Sequence, residues 1–483
     1  MLEVFRHRTF RRLFAAQVIA LVGTGLATVA LALLAYDLAG AHAGEVLGTA
    51  LAIKMVVYVV LAPVSGALVP PHMRKKVLIA LDLVRAGVAL ALPFVTEIWQ
   101  VYLLIALLQS ASAGFTPLFQ SVIPEILPEE RDYTRALSLS RLAYDLESLL
   151  SPMLAAALLT IINFHSLFMG TSVGFVLSAL LVMGAAFPMA KAVAAGRPFD
   201  RAIRGMRIYL RTPRLRGLLA VNLIAAAGGA LVFVNTVVIV RSVLGGGDRE
   251  VAWALAAFGA GSMLIALTLP KLLDHWPDRR VMLTAAGVMV SALVAGSVAW
   301  QMQAGTLPFP VLLTLWVVMG MAYAGLVTPG GRLLRRSAKP EDLPFLFAAQ
   351  FSLSHVCWLL AYPLAGWMGS RLGLGMAMIA LTVLAIVGLI AMLATWPTHD
   401  VAELEHRHDD LPASHPHWQE HGGHADGAHA HVIYIDQLHR RWPVLRLSEL
   451  PEQRRSGQPA PRYWVAGCPP LSPADLEKQG GGE

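Results

Sequence analysis

Long apolar stretches, separated by short polar segments, dominate the first 396 residues of the chain. A helix needs about 20 mostly apolar residues to cross roughly 30 Å of hydrocarbon. Backbone polar groups inside a bilayer must be satisfied within the fold, so such stretches are expected to be helices packed in a bundle. The twelve predicted spans are 12–35, 46–69, 77–95, 99–122, 138–161, 166–187, 217–240, 251–270, 281–302, 309–329, 344–368 and 373–396. The first is too long for a cleaved signal peptide and is followed at once by further spans.

Composition agrees with a membrane protein. Hydrophobic residues make up 56% of the 483 residues and charged residues only 14%, against about 25% charged in an ordinary soluble protein. These values exclude a soluble enzyme of this size, and the two cysteines exclude a disulfide framework. Net charge divides by region, with +12 over residues 1–396 and −5 over residues 397–483. A basic apolar body with an acidic tail indicates a membrane protein and not a nucleic-acid-binding one.

The distribution of Lys and Arg between the predicted spans sets the orientation. With the N-terminus inside, the cytoplasmic segments hold 24 of these residues and the outer loops hold three. Positive residues concentrate on the cytoplasmic side of membrane proteins. The sequence therefore predicts that both termini are cytoplasmic.

The longest connection within the body, 188–216, follows the sixth predicted span and is rich in arginine. Ile203, Met206 and Leu210 recur there at helical spacing, which favours an amphipathic helix on the inner membrane face. A basic linker that merely follows the charge rule fits equally well. The predicted division is a six-helix half at 1–187, this linker at 188–216, a second six-helix half at 217–396 and a tail at 397–483.

Two connections carry related basic motifs, GALVPPHMRKK after the second span and PKLLDHWPDRR after the eighth. Both resemble the Gly-x-Leu-x-Asp-Arg-x-Gly-Arg-Arg signature of the major facilitator superfamily, although Pro70 and Pro71 replace its Asp and Arg in the first copy. The resemblance implies two six-helix halves that rock around a midplane site. The gating-loop residues it assigns are Gly66, Arg74, Lys75, Asp274, Arg279 and Arg280.

A longer resemblance covers residues 114–152. The run Pro-Glu-Ile-Leu-Pro-Glu-Glu, then Arg135-Ala136-Leu137, then Ser151-Pro152 looks like the region of spans four and five in the branch of siderophore and macrolide exporters. Within that branch, such a body followed by a His-rich tail resembles the nickel-resistance exporters. This resemblance implies a multi-pass protein of the bacterial cytoplasmic (inner) membrane, with a monomer as the default state.

Charged side chains within predicted spans are candidates for function because they are costly in lipid. Asp82 and Arg85 are three residues apart, so they share a helix face, and we interpret them as a structural or gating ion pair. Lys54, in the middle of span two, is expected to pair with an acid across the bundle.

Asp145 and Glu147 on span five are two residues apart and point in nearly opposite directions on a helix. One of them is a candidate to bind a cation or to carry an exchanged proton, since burial shifts the pKa of a carboxylate. Asp145 is the first choice. A local ion pair of Asp145 with Arg141 is the alternative.

Span eleven carries His355 and Cys357, which also fall on different helix faces. Imidazole suits nickel and cobalt, and thiolate suits softer ions. A histidine that only packs is the alternative for His355. Asn222, Asn235 and Asp37 are further candidates to line a polar path.

The tail after Trp396 is rich in histidine, with ten of the 16 histidines of the chain in 41 residues. Asp and Glu are interleaved and aliphatic residues are few, so we expect a largely disordered segment without metal. Short His-rich tracts are typical of metal binding. The candidate ligands are His399, His406, His408, His415, His417, His421, His424, His429, His431 and His439. A stretch from Val432 to Leu447 has a β-like or amphipathic pattern that caps the tail or docks on the body.

Three functions fit these patterns. The leading hypothesis is a secondary exporter of a divalent transition metal, nickel or cobalt as substrate, by exchange for protons. The second keeps the fold but exports a drug or siderophore, with the tail regulatory. The third is a non-transporting metal sensor or buffer. No ATPase motif or nucleophile–base pair is present, so we expect no enzyme activity and no permanently bound cofactor. The expected partners are the lipid bilayer, the metal ion and protons.

Overall fold

Long helices make up nearly all of the described body. The computed structural model describes residues 2–69, 71–127, 157–187, 198–339 and 342–398, scattered residues between 129 and 155, and residues 404–407, 428–431, 433–435, 439 and 442 of the tail. The helices of the first half are α1 (Arg8–Ala39), α2 (Ala43–Leu68), α3 (Arg74–Ala91), α4 (Ile98–Ile126) and α5 (Phe164–Met183). A linker helix, α6 (Pro198–Arg211), leads to α7 (Pro213–Val238), α8 (Asp248–His275), α9 (Asp278–Met302), α10 (Phe309–Val327), α11 (Leu343–Pro363) and α12 (Leu374–Thr395).

Eleven of the twelve predicted spans appear as helices among the described residues, and α5 corresponds to the sixth of them. The fifth, predicted at 138–161, lies half outside the described residues. The all-α membrane fold is confirmed, because these helices are long and apolar enough to cross a bilayer.

Within each half, the described helices pack closely on one another. In the first half α1 and α3 both pack on α5, and α2 packs on α4; in the second half α8 packs on α10, and α7 on α12. A Cβ at Gly261 would overlap the Val317 carbonyl, and one at Gly320 would overlap the Phe258 carbonyl. Glycine therefore brings the backbones of α8 and α10 into direct contact, as is typical of membrane helix pairs.

Among the described residues, the two halves meet mainly where α2 packs along α11 and along the following segment Leu364–Met368. We call the end of the bundle that carries α6 the linker end, and the opposite end, with the α1–α2 and α11–α12 connections, the distal end. Helix α7 lies near the centre of the bundle, where nearly all of its residues are buried.

The linker forms the predicted helix, but another of its faces packs on the protein. Ile208 and Tyr209 are buried, and a Cβ at Gly205 would overlap the Phe345 carbonyl on α11. Ile203 and Leu210, on the apolar face that the sequence predicts to lie on the membrane, are exposed on the protein surface. The prediction missed Gly205 as the contact point because a periodicity of large apolar residues does not mark a glycine.

The sequence predicts a largely disordered tail, and most of that tail lies outside the described residues; its described part contains two short strands. Strands β1 (Leu404–Arg407) and β2 (Ala428–His431) pair in antiparallel register. Beyond them Ile433 and Ile435 are buried, and the Trp442 ring lies 5.2 Å from the guanidinium carbon of Arg214. The described residues of the predicted 432–447 stretch therefore dock on the linker end of the second half, while its remainder lies outside the described residues.

Candidate functional site

One face of α11 carries an aromatic stripe. Phe351, His355, Trp358 and Tyr362 follow one another at spacings of four, three and four, which places them on one side of a helix. Tyr58 of α2 packs on the linker-side part of this stripe, with ring centroids 5.6 Å from Phe351 and 5.1 Å from His355. The stripe thus reaches the boundary between the two halves.

Trp358 is also part of an aromatic cluster inside the second half. Its ring lies 6.2 Å from Phe233 on α7, 6.3 Å from Tyr323 on α10 and 5.0 Å from Tyr362. Phe258 of α8 joins the cluster at 5.5 Å from Phe233. Four helices therefore contribute rings to one continuous apolar wall, and aromatic pairs at these distances attract each other beyond the area they bury.

A positive charge lies beside the Tyr58 ring. The Lys54 ammonium group of α2 is 5.7 Å from the centre of the Tyr58 ring. Lys54 also lines a small cleft within the first half, together with Thr24, Thr28 and Gln109. The boundary between the halves thus combines rings from α2 and α11 with a cation and neutral polar groups from the first half.

His355 and Cys357 point to different neighbours, as their spacing predicted. His355 Nδ1 is 2.6 Å from the Phe351 carbonyl, and a carbonyl can only accept, so this contact places the proton on Nδ1. Cys357 is buried, with its Sγ 3.8 Å from the Leu219 carbonyl of α7. Among the described side chains, no group of three or more His, Cys, Asp or Glu residues could hold a metal ion.

The predicted Asp82–Arg85 ion pair is present and fully enclosed in the first half. Ser178 of α5 donates a hydrogen bond to the second Asp82 oxygen at 2.8 Å. The Arg85 guanidinium lies between two rings, 4.1 Å from Phe115 and 4.6 Å from Phe175. These contacts join α3, α4 and α5, so the ion pair helps to hold three helices of the first half together. Its role in gating stays a prediction.

Several predicted site residues cannot be placed in this geometry. Asp145 and Glu147 lie outside the described residues, as do six tail histidines: His399, His408, His415, His417, His421 and His424. His439 is buried in the docked tail segment. The backbones of His406, His429 and His431 lie in β1 and β2.

The two basic motifs make matching bonds in the two halves. Lys75 at the start of α3 donates to the Ala185 carbonyl, just after α5, at 2.8 Å. Arg279 at the start of α9 donates to the Trp396 carbonyl, just after α12, at 3.2 Å. In each half, a basic residue that opens the third helix therefore binds a carbonyl that follows the sixth.

The predicted role of Asp274 needs correction. Asp274 is exposed in the last turn of α8, whereas Asp278, four residues later, is 3% exposed. Asp278 binds Arg336 at 2.8 Å and Arg332 at 3.4 Å. The acid lies on the first turn of α9, where the helix dipole also favours a negative charge. The other motif members stand as follows: Gly66 lies in the last turn of α2, Arg74 opens α3, and Arg280 stacks near Trp276.

At the distal end, ion pairs cross between the halves. Arg241, after α7, lies 3.5 Å from Asp37 of α1 and 2.5 Å from Asp248 of α8. Its guanidinium carbon also lies 5.0 Å from the Tyr36 ring. A second pair joins Arg371, after α11, to Glu45 of α2 at 3.0 Å.

Near these ion pairs, glycines bring α2 into close contact with α11 and with the segment that follows it. A Cβ at Gly48 would lie 2.8 Å from the Tyr362 carbonyl, and one at Gly366 would overlap the Gly44 carbonyl. The Asn235 amide oxygen lies 3.3 Å from where Gly44 would carry a Cβ. Asn235 is buried, and among the described residues neither its amide nitrogen nor its amide oxygen has a hydrogen-bond partner.

Sequence reasoning missed the aromatic stripe and Asp278. The stripe has a readable signal, since QFSLSHVCWLLAY repeats aromatic or imidazole side chains at helical spacing. Asp278 follows Pro277 at a helix start, a position typical of an acidic residue. The contacts of Arg241 with Asp37 and of Arg371 with Glu45 had no local signal in the sequence. The two residues of each pair lie 204 and 326 positions apart, respectively.

Comparison with known proteins agrees with this architecture. The model of the Major Facilitator Superfamily matches residues 13–247 and 218–429. The chain is 25% identical to an uncharacterized MFS-type transporter of Bacillus subtilis, covering 69% of this chain and 81% of the relative. It is 24% identical to macrolide efflux protein A of Streptococcus pyogenes, covering 75% and 90%. The chain also shares its fold with a bacterial homolog of the human lysosomal transporter Spinster, solved in an inward-facing, unoccupied conformation. The TM-score is 0.60 and the sequence identity is 13%, and the match covers 82% of this chain and 99% of that one.

Proposed function

The chain belongs to the major facilitator superfamily, and from this premise we propose that it is a secondary active exporter of bulky lipophilic organic compounds. The observation that carries the proposal is the aromatic wall around Trp358, which faces the boundary between the halves through the α11 stripe. Sites for organic ligands are concave, mostly apolar and rich in aromatic side chains, with a few polar groups that orient the ligand. A macrolide efflux protein among the relatives supports the same cargo class.

Closure of the distal end fits an exporter that waits for cargo from inside. On the orientation predicted from Lys and Arg, the linker end is cytoplasmic and the distal end is external. The pairs of Arg241 and Arg371 then close the external side. Rocking of the halves would break them and open the wall to the outside.

Protons are the proposed coupling ion. A coupled exchanger needs a group whose proton affinity changes as access changes, and a carboxylate near the pathway supplies it. Asp145 and Glu147 remain the proposed carriers. Lys54, whose ammonium group lies beside the Tyr58 ring, is proposed to orient cargo or to respond to the proton.

Nickel or cobalt export, the leading hypothesis from the sequence, becomes the second candidate. The observation in its favour is the ten-histidine tail attached at the linker end. Against it, the described side chains of the body hold no metal-ligand cluster, and the relatives reported above include a macrolide exporter. We therefore place the organic cargo first.

Uptake into everted membrane vesicles under an imposed pH gradient tests both candidates. We expect gradient-dependent uptake of erythromycin that falls about tenfold in Trp358→Ala, equivalent to about 1.4 kcal/mol of lost binding, and recovers partly in Trp358→Phe. Trp253→Ala is the matched control, because Trp253 is 59% exposed on α8. Ni²⁺ uptake with no uptake of erythromycin or of other lipophilic drugs would overturn the proposal and favour the second candidate. Equal losses in both tryptophan variants would remove the aromatic wall from the pathway.

A further inference from the structure

A cleft inside the first half is lined by groups that can accept hydrogen bonds. It lies between α1, α2 and α4, and its polar lining consists of Thr24, Thr28, Lys54 and Gln109. The other lining side chains are alanine, leucine and isoleucine. The cleft measures about 350 Å³ including its open mouth, at the small end of the range for ligand sites, which is about 300–1,000 Å³. It therefore suits one part of a bulky compound and not the whole of it.

The two threonines of this cleft offer oxygen lone pairs to a ligand. The Thr24 hydroxyl donates to the Ala20 carbonyl, and the Thr28 hydroxyl donates to the Thr24 carbonyl, each at 3.0 Å. A hydroxyl has one hydrogen and two lone pairs, so both side chains can still accept a hydrogen bond. Because they are four residues apart, they lie one helical turn from each other on the same face of α1.

Gln109 on α4 adds a buried acceptor. The residue is only 6% exposed, and its Oε1 has no hydrogen-bond partner in the part of the chain that the structure describes. An unpaired buried acceptor costs free energy, so a ligand that donates a hydrogen bond to Oε1 is bound favourably. The cleft therefore calls for a donor from its ligand.

Lys54 connects the cleft with the aromatic stripe of α11. It lies four residues before Tyr58 on α2, so the two side chains share a helix face, and its ammonium group is 5.7 Å from the centre of the Tyr58 ring. Tyr58 in turn packs on Phe351 and His355 of the stripe. A ligand that rests on these rings therefore has the polar lining of the cleft about one helical turn away.

We propose that this cleft binds an uncharged hydroxyl group of the cargo while the lipophilic body of the cargo packs on the aromatic stripe. A hydroxyl donates to Gln109 Oε1 or to a threonine oxygen, and it accepts from the Lys54 ammonium group. An ammonium group would also donate to these oxygens, but the like charge of Lys54 disfavours it. The inference rests on the proposed export of organic compounds and adds a selectivity for cargo that carries hydroxyl groups.

Uptake of two lipophilic compounds into everted vesicles tests this hydroxyl site. Erythromycin carries several hydroxyl groups, whereas the neutral dye Nile red has no hydrogen-bond donor. We expect Gln109→Met, which keeps the length of the side chain but removes Oε1, to lower erythromycin uptake about tenfold and to leave Nile red uptake unchanged. Gln301→Met is the matched control, because Gln301 is exposed on α9. Thr24→Val/Thr28→Val, which removes two acceptors with little change of shape, should also lower erythromycin uptake selectively, whereas Trp358→Ala should lower the uptake of both compounds.

Competition separates recognition of a hydroxyl from recognition of the amine of erythromycin. Thiamphenicol and florfenicol are neutral and differ in one hydroxyl, which fluorine replaces in florfenicol. Thiamphenicol should inhibit erythromycin uptake more strongly than florfenicol in the wild type, and this difference should vanish in Gln109→Met.

Equal inhibition by the two competitors in the wild type, or none by either, would overturn the hydroxyl site. Equal losses of erythromycin and Nile red uptake in Gln109→Met would overturn it as well. Erythromycin uptake that depends on Trp358 but not on Gln109 would refute the hydroxyl site alone, whereas a wild type that takes up neither compound would refute the proposed export itself.

Discussion

The two ends of the bundle differ in which parts of the protein their polar contacts join. At the distal end, Arg241 and Arg371 bind acids of the opposite half. At the linker end, the described bonds of Lys75, Arg279 and Asp278 stay within one half. Rocking must break the first kind in every cycle and can leave the second kind intact. The contacts that cross between the halves at the distal end therefore serve switching, and the contacts within one half at the linker end serve the rigidity of that half.

The side chains in these contacts also differ in solvent exposure between the distal and the linker end. The Arg371 side chain is 71% exposed, and exposed pairs contribute about 0–1 kcal/mol each. Asp278 is 3% exposed and binds two arginines, and removal of a partner from a buried pair costs several kcal/mol. The Arg371 pair is thus weak enough to break, whereas Arg241 is only 22% exposed. The glycine contact of α2 with α11 and the segment after it also holds the distal end closed.

The largest expected effect comes from filling that contact. Gly48→Leu puts side-chain atoms where even a Cβ would lie 2.8 Å from the Tyr362 carbonyl, so α2 and α11 must separate. We expect faster hydrogen–deuterium exchange at residues 40–50 and 364–372 and a fall in transport of about tenfold or more, since interfaces shift between discrete states when packing is broken. Gly87→Leu is the control, because nothing lies within 4 Å of a Cβ there. Unchanged exchange in Gly48→Leu would mean that the glycine contact does not hold the distal end.

The next effect belongs to the linker end and should appear as stability. Asp278→Asn removes the charge that faces Arg332 and Arg336, and we expect a loss of about 2 kcal/mol, below the full range for buried pairs because the arginines are half exposed. Thermal unfolding in detergent measures it. Asp274→Asn, in the exposed turn four residues earlier, should leave the melting temperature unchanged; a similar drop in both variants would contradict the assignment.

Asn235 offers a smaller effect in the opposite direction. Its buried amide has no hydrogen-bond partner in the part of the chain that the structure describes, and an unsatisfied buried polar group costs about 1–3 kcal/mol. Asn235→Ala should therefore stabilise the closed distal end, slow exchange at residues 40–50 and slow turnover. The neighbouring Thr236→Ala is a useful contrast, because Thr236 Oγ1 accepts from Trp316 at 2.8 Å and its loss should destabilise. Faster exchange in Asn235→Ala would show that the amide supports closure.

Much of the fold followed from the sequence because its signals are local. Apolar runs of membrane length and the placement of Lys and Arg depend on neighbouring residues alone, and the Asp82–Arg85 pair follows from a spacing of three on one helix. The divergence of His355 and Cys357 follows in the same way from their spacing of two.

The rest depended on contacts between distant segments. The packed face of α6 is set by Gly205 against Phe345, and no periodicity in the linker reveals its partner. Asp274 and Asp278 both fit a degenerate motif, and only the fold shows which one meets Arg336. Composition gave no sign of the strand pairing in the described part of the tail, because the two strands are separated by 20 intervening residues, 408–427.

The smallest expected effects are those of the ion pairs that cross between the halves. High salt should weaken these pairs but not the glycine contact, so it distinguishes the two contributions. Arg371→Gln should raise distal exchange only slightly, by less than about 1 kcal/mol, and Arg241→Gln by somewhat more, because Arg241 contacts two carboxylates and the Tyr36 ring. At about 1 M salt the screening length falls to roughly 3 Å, so both variants should then exchange like the wild type, whereas Gly48→Leu should not. An Arg371→Gln effect that persists undiminished at high salt would indicate that its packing, and not its charge, holds the two halves together.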